Sequence, residues 1–319
     1  MRRLDPTLQA WLDAAAGPDD LFVEQLWRSV LRRPVERDEL DDTVARLGGG
    51  MSRSALAAEL TGSAEFARVR LLDDAVAWAS AQRAADERPR NLTAPPGTDE
   101  RPIEIPWCLA RYRAEPRLLD VGYVFAEPAY LAALTGLGAA RLVGVDLAAA
   151  DVAGLESVAA DVRRLPFDDG SFDVVIAIST LEHVGRDNTQ YGLAVEHDDG
   201  SLDAALRELN RILDGDGRLL VTVPTGAADE LRPEQAVLAP ATWIERFEAA
   251  GLLVWEDELY ELGTEGWRST TALSGARYGE RGPGASAVLC AELRRSHLGA
   301  RLRLAVRDRR HADEPRRAV

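Results

Sequence analysis

The sequence contains no lysine, so all 38 basic residues among its 319 are arginine. That absence excludes Schiff-base chemistry and P-loop phosphate binding, both of which use the lysine amine. Cysteine is scarce too. Cys108 and Cys290 are the only two, which excludes a cysteine-rich metal cluster and reads as two small buried hydrophobes in a reducing compartment. No apolar run approaches the length of a membrane span, and the opening Met1-Arg2-Arg3-Leu4-Asp5-Pro6 is followed by nothing of signal-peptide character. A cytoplasmic chain without stable membrane insertion is expected. A net charge of −15 lacks the basic face that phosphate neutralisation needs, so no nucleic-acid partner is expected. The charge is uneven, with nine arginines between positions 294 and 317 against Asp308, Asp313 and Glu314. This Arg-rich tail, 296–319, reads as a solvated end.

The remaining composition, 46% hydrophobic and 29% charged, is ordinary for a globular protein, and the length allows two domains. Residues 1–85 read as helices only. Leu21, Phe22, Gln25, Leu26, Val30 and Leu31 form a helical stripe that stops before Pro34. Leu40, Val44 and Leu47 extend the pattern to Gly48-Gly49-Gly50, and Ser52 is a candidate N-cap for a helix over 55–60. The run from Phe22-Val23 through Leu26-Trp27 and Leu31-Arg32-Arg33-Pro34, then Ser52-Arg53 and Ser63-Ala64-Glu65-Phe66, resembles a short bacterial helical domain of unknown function that is similar to phycobilisome-linker helices. Beside the resemblance stands the plain reading, a helical packing or oligomerisation module, and with it a protein partner through the N-terminal helical domain is expected. Residues 86–102, with Asn91-Leu92-Thr93-Ala94-Pro95-Pro96-Gly97-Thr98, have linker composition.

Beyond the linker, strands alternate with helices, the mark of a parallel α/β sheet. Strands are expected at 117–121, 141–146, 157–160, 172–178 and 218–223, with 252–260 and 285–293 as a closing antiparallel pair. The expected fold class is α/β: a Rossmann-like seven-stranded mostly parallel sheet with helices on both faces over 103–295, plus a small all-α N-terminal domain.

Ligands of such sheets sit outside the carboxyl ends of the strands, at the switch point in strand order. The first strand therefore needs a glycine turn, which Leu119-Asp120-Val121-Gly122 supplies. The second needs an acid for ribose hydroxyls, which Asp146 supplies. The third needs an acceptor for an adenine amine, and Asp161 follows Ala159-Ala160. Taken singly, Asp146 or Asp161 also suits a helix cap; the set is the informative feature.

With these residues placed, the chain resembles class I S-adenosylmethionine-dependent methyltransferases. Leu119-Asp120-Val121-Gly122 looks like the family's first motif and Val145-Asp146 its second. The stretch Asp161-Val162-Arg163-Arg164-Leu165-Pro166-Phe167 with Ser171-Phe172-Asp173-Val174-Val175 looks like its third motif and fourth strand. The resemblance implies that Gly122 lines the methionine part of S-adenosylmethionine, that Asp146 holds the ribose, that Asp161 and Val162 flank adenine, and that Asp120 steadies the first loop or approaches the amine. Ser179, after the fourth strand, lies where the sulfonium methyl would point. One position departs from the pattern, since Val124 stands where the family usually has a second glycine. Ile178-Ser179-Thr180-Leu181-Glu182-His183-Val184-Gly185, with Ile105-Pro106-Trp107, resembles a subgroup associated with bacterial glycan biosynthesis, which implies O-methylation of a small-molecule or glycan acceptor.

In-line methyl transfer needs placement and, for a hydroxyl acceptor, a base. His183 is the candidate, with a structural histidine as the equal alternative. Tyr191, Trp107 and Trp267 are candidate acceptor contacts, although core packing explains such aromatics as well. Glu196-His197-Asp198-Asp199 superficially resembles a metal cluster, but consecutive acids in a polar loop are more often solvated, and no metal is expected. Two other readings stay open: a scaffold whose methyltransferase-like domain has lost its cofactor, and a nicotinamide-dependent oxidoreductase, disfavoured because no Gly-x-Gly-x-x-Gly follows the first strand.

Overall fold

The computed structural model describes residues 12, 17–189, 198, 200–297 and 304. Tyr191, the Glu196-His197 pair and nearly all of the Arg-rich tail lie outside the described residues. Two compact units divide the chain, residues 1–75 and 76–319.

The first unit is helical. α1 (Asp19–Val30) begins after Pro18 with Asp19 and Asp20 in its first turn, where acids complement the exposed N–H groups. α2 (Arg37–Gly48) opens on a reciprocal capping box between Glu36 and Glu39. α3 (Arg53–Thr61) is capped by Ser52, whose hydroxyl accepts from the Ala55 N–H at 3.1 Å. α4 spans Ala64–Ala84. Phe22, Val23, Leu26, Trp27 and Val30 of α1 are buried with Leu47, Leu56 and Leu60, whereas Leu21 of the expected stripe is half exposed. Arg33 ties this unit together by pairing with Glu39 at 2.7 Å and with Glu65 at 2.6 Å.

The second unit is built on one sheet. Its parallel half comprises β1 (Arg117–Val121), β2 (Arg141–Asp146), β3 (Glu156–Ala159), β4 (Phe172–Ile178) and β5 (Leu213–Pro224). A two-stranded ribbon follows, β6 (Glu230–Leu231) with β7 (Ala236–Val237). β8 (Leu252–Gly263), β9 (Gly266–Thr270) and β10 (Ala287–Arg295) complete the sheet in the order β3-β2-β1-β4-β5-β10-β8-β9. The sheet thus has eight strands rather than seven. The additional one, β9, pairs antiparallel with β8 across a turn closed by Gly263 and Gly266. Gly266 adopts φ +102°, and a Cβ there would stand 2.1 Å from the Ala94 carbonyl oxygen, so this turn accepts only glycine.

Helices α5 (Arg101–Leu109), α6 (Pro128–Thr135), α7 (Ser201–Ile212) and α8 (Pro240–Ala249) accompany the sheet. Alternate strand residues Leu119, Val121, Val175, Ala177, Leu219 and Val221 join Leu206 and Leu209 of α7 and Trp243 and Phe247 of α8 in one core, as period-two strands require. α5 packs against β4, β5 and β10. The near-continuous burial of β4 and β5 is that of strands covered on both faces. Cys108 and Cys290 are both free and fully buried.

Much of the segment with linker composition is structured. Leu92 and Ala94 are buried, the Asn91 N–H donates to Glu258 Oε2 at 2.9 Å, and the Trp267 N–H donates to the Ala94 carbonyl at 2.8 Å. Residues rich in Pro and Gly here cover the outer edge at β9 rather than spanning solvent.

Candidate functional site

β1 and β2 deliver their ends side by side. Gly122 follows β1 with φ +91°, and its N–H donates to the Val145 carbonyl at 2.9 Å, fastening the loop to β2. A Cβ at this position would lie 2.4 Å from Thr180 Oγ1, so glycine is required both by backbone conformation and by space. The chain then makes a tight 3-10 turn over Tyr123–Phe125. Val124 lies outside the left-handed region, so the turn has no need of the second glycine found in the resembling family. Its N–H donates to Asp146 Oδ2 at 3.2 Å, while the Leu147 N–H donates to Oδ1 at 2.7 Å. Burial raises the Asp146 carboxyl above its ordinary value, against the pull of these backbone donors. The Ala148 backbone adds a third donor, and of the roughly four lone pairs of a carboxylate Asp146 keeps one for a ribose hydroxyl. The Ala160 N–H donates to the Asp146 carbonyl at 2.8 Å, which brings the end of β3 alongside.

The other acids at these strand ends serve the protein itself. Asp120 is 2% exposed, accepts from the Tyr130 hydroxyl, and is pushed up to about 7 by burial. It anchors α6 to β1. Asp161 is clasped by Arg163, with Nη2 to Oδ2 at 2.6 Å and the Arg163 N–H to Oδ1 at 2.9 Å. Burial opposes ionisation of Asp161, yet the Arg163 bonds together hold its carboxyl below the ordinary value. With its lone pairs so engaged, Asp161 fixes the turn, and an adenine amine would find little acceptor capacity there. Val162 is partly buried against the core.

A second cluster forms where β4 ends. Ser179 has φ +42°, its N–H donates to the Thr222 carbonyl at 3.0 Å, and its hydroxyl donates to Glu104 Oε1 at 2.8 Å. Ser179 thus faces a buried carboxylate from α5. Glu104 is fully buried and pushed up to about 7, by burial first, with Arg101 opposing; Arg101 Nη1 donates to its Oε2 at 2.7 Å. A 3-10 turn over Leu181–His183 then carries Glu182 and His183. Thr180 Oγ1 donates to the Val121 carbonyl at 3.0 Å, joining this cluster to the tip of β1.

Glu182 and His183 line a cavity of about 210 Å³ together with Glu100, Arg101, Glu234 and Tyr278. His183 Nδ1 lies 2.7 Å from the Glu234 carbonyl oxygen. A carbonyl only accepts, so Nδ1 bears the proton and Nε2 the lone pair. Burial lowers the His183 pKa, with the Glu234 carbonyl opposing. Glu182 is 2% exposed and is raised to about 8, again chiefly by burial.

Of the three candidate acceptor contacts, Tyr191 lies outside the described residues and the two tryptophans stand away from the cavity. Trp107 is fully buried, with Nε1 donating to Glu258 Oε1 at 3.0 Å and the Arg111 guanidinium stacked 3.9 Å above its ring. Trp267 is equally buried on β9, donating to the Thr98 carbonyl at 3.2 Å. Both are core residues whose indole N–H is satisfied, and neither lines the cavity. Sequence reading passed over Glu100, Arg101, Glu104, Glu234 and Tyr278. A signal existed for the first three: Glu104 is the one charge inside the apolar segment 102–109 of the buried helix α5, and Glu100 and Arg101 stand four and three positions before it.

Residues 119–221 match the family described as a methyltransferase domain. No curated protein matches the chain. Among solved structures, a 1,6-didemethyltoxoflavin-N1-methyltransferase from Burkholderia thailandensis is 14% identical, covering 57% of this chain and 72% of its own, with a TM-score of 0.37. A TehB-like S-adenosylmethionine-dependent methyltransferase from Corynebacterium glutamicum is 17% identical, covering 60% and 87%, with a TM-score of 0.37. The [4+2]-cyclase SpnF is 19% identical, covering 58% and 72%, with a TM-score of 0.40. The chain therefore has, over residues 119–221, the sequence pattern of a methyltransferase domain, carried on a Rossmann-like, mostly parallel sheet.

Proposed function

We propose that the second unit is an S-adenosylmethionine-dependent methyltransferase that methylates a hydroxyl of a small molecule or glycan held in the cavity beyond β4 and β5. The residues present fit the cofactor at its nucleoside end, where the half-buried Asp146 carboxylate beside the Gly122 turn, held by the Val124, Leu147 and Ala148 backbone, retains acceptor capacity for a ribose hydroxyl. When bound, S-adenosylmethionine supplies an electrophilic methyl group. The one observation that carries the O-methyl reading is the hydrogen bond between His183 Nδ1 and the Glu234 carbonyl. It fixes the tautomer with the basic nitrogen at Nε2, and burial keeps the ring neutral near pH 7. His183 then takes the proton of the acceptor hydroxyl, and the cavity walls fix its approach. Activity in the cytoplasm, and a protein partner for the first unit, belong to the same proposal; no described helix is long and apolar enough to cross a membrane.

The test is a titration of the full chain with adenosylhomocysteine and, separately, with NAD, read as a shift in unfolding temperature. Adenosylhomocysteine should stabilise the protein and NAD should not. Asp146→Ala should weaken adenosylhomocysteine binding about tenfold to a hundredfold, as expected for loss of hydrogen bonds to a charged acceptor. Absence of any shift with adenosylhomocysteine overturns the methyltransferase reading.

A further inference from the structure

Among the described residues two groups on this cavity wall are left incomplete, the donor Gln235 Nε2 and the acceptor Glu182 Oε2, and only the second belongs to an ionisable side chain. Glu182 is 2% exposed, it stands on the cavity wall, and its Oε2 has no hydrogen-bond partner among the described residues. A buried carboxyl oxygen without a donor is costly, and such groups in folded proteins commonly mark a place where something else binds. The neighbouring charges are already engaged. Arg101 Nη1 donates to Glu104 at 2.7 Å. Glu100 Oε2 accepts the Ala285 N–H at 2.9 Å, and Gly284 packs so closely that a Cβ there would lie 2.3 Å from the same oxygen. Among the described residues the wall carries the carboxyls of Glu100, Glu182 and Glu234 and one guanidinium, that of Arg101, a set that favours a cation once Glu182 ionises and disfavours phosphate or carboxylate.

The basic nitrogen proposed for proton removal is close by, with His183 Nε2 3.9 Å from Glu182 Oε1. Two acceptors so close match two donors on adjacent carbons. Resting on the methyltransferase reading, we infer that the acceptor is a vicinal amino alcohol, its protonated amine received by the Glu182 carboxylate while the neighbouring hydroxyl meets His183. The amine completes Glu182, and the carboxylate in turn fixes which hydroxyl is presented to the base.

The inference has a protonic signature. Glu182 is raised to about 8 by burial first and also by Glu100, with its own backbone N–H, Arg101 and Ser179 opposing, and Glu104 and His183 act on it from alongside. It is protonated at neutral pH, and an arriving ammonium favours the ionised form, so binding should release a proton and strengthen as pH rises toward 8.

Calorimetric titration of the full chain, saturated with adenosylhomocysteine, compares glucosamine with glucose and N-acetylglucosamine, which keep the ring but lack the charge. Glucosamine should bind at least about tenfold more tightly than either, which is about 1.4 kcal/mol, with an enthalpy that varies with the ionisation heat of the buffer. Glu182→Gln should reduce that preference to near unity while leaving adenosylhomocysteine affinity unchanged. If Glu182→Gln does not fold, Glu234→Gln serves, with a smaller loss of preference. Equal affinity for the three sugars, no glucosamine binding at high millimolar concentration, or a preference that survives Glu182→Gln each overturns the inference. Failure of adenosylhomocysteine itself to bind is a different result, and it removes the methyltransferase reading instead.

Discussion

Gly122→Ala is the most direct probe of the junction at the strand tips. Two costs follow from the geometry. An alanine at φ +91° occupies the left-handed region, at roughly 1–2 kcal/mol. Its Cβ would also stand 2.4 Å from Thr180 Oγ1 and 2.8 Å from Cγ2, an overlap that forces a shift of the kind costing about 1–3 kcal/mol. Thr180 cannot simply rotate away without cost, because Oγ1 donates to the Val121 and Ile178 carbonyls, both at 3.0 Å. The total expected loss is about 2–5 kcal/mol. Thr180→Ala separates the two costs: it removes Oγ1 and Cγ2 and leaves the closest remaining contact, to Thr180 Cβ, at 3.2 Å. In a double-mutant cycle the pair should therefore be less damaging than the sum of the singles by about 1–3 kcal/mol, with the left-handed cost remaining. Equilibrium urea unfolding of the full chain, followed by circular dichroism and fitted for two units, measures all four corners. A Gly122→Ala loss below about 0.5 kcal/mol, the range of an ordinary surface change, or strict additivity of the pair would refute the reasoning.

Two further outcomes are expected. His183→Asn keeps a donor for the Glu234 carbonyl but removes the basic nitrogen, so methyl transfer to a hydroxyl acceptor should slow by about 10²–10⁴-fold with adenosylhomocysteine affinity unchanged; turnover equal to the parent's would assign His183 to loop support. Because burial lowers its pKa, the neutral base persists below the ordinary histidine value, and the acid limb of the parent's rate profile should fall below about pH 6.5. Stability should decline with rising pH. Asp120 and Glu104 are raised to about 7 and Glu182 to about 8, so between the ordinary carboxylate values and about pH 8 the folded chain holds protons that the unfolded chain has released. The stability these groups contribute is whole below their unfolded values and lost through their folded ones. Unfolding temperature should fall from about pH 5 to about pH 8, less steeply in Asp120→Asn, and a rise across that window would contradict the burial of these acids.

The sheet was legible in the sequence because β1, β2, β4 and the later part of β5 carry apolar runs, and burial on both faces leaves such strands no other pattern. The short, partly exposed β3 was marked by its place between Asp146 and Asp161. β9 was not, since a five-residue strand shows little periodicity, and its Trp267 looked like a binding aromatic until the interior claimed it. Asp146 and Gly122 were marked by position at the ends of strands. The clasp of Arg163 on Asp161 and the tuck of Tyr130 onto Asp120 depend on where side chains meet, and spacing along the chain is silent about that.

By itself, then, the sequence determined where the buried parallel strands lie along the chain, the glycine turn after the first of them and the acid after the second, since these follow from local propensity and hydrophobic period. Only the tertiary structure decided which charges are buried. It brought Glu104 from α5 to Ser179 across 75 positions and set the Glu234 carbonyl against His183 across 51. Desolvation and hydrogen bonding act between groups that are near in space, and for these groups no rule of sequence distance says which ones will be.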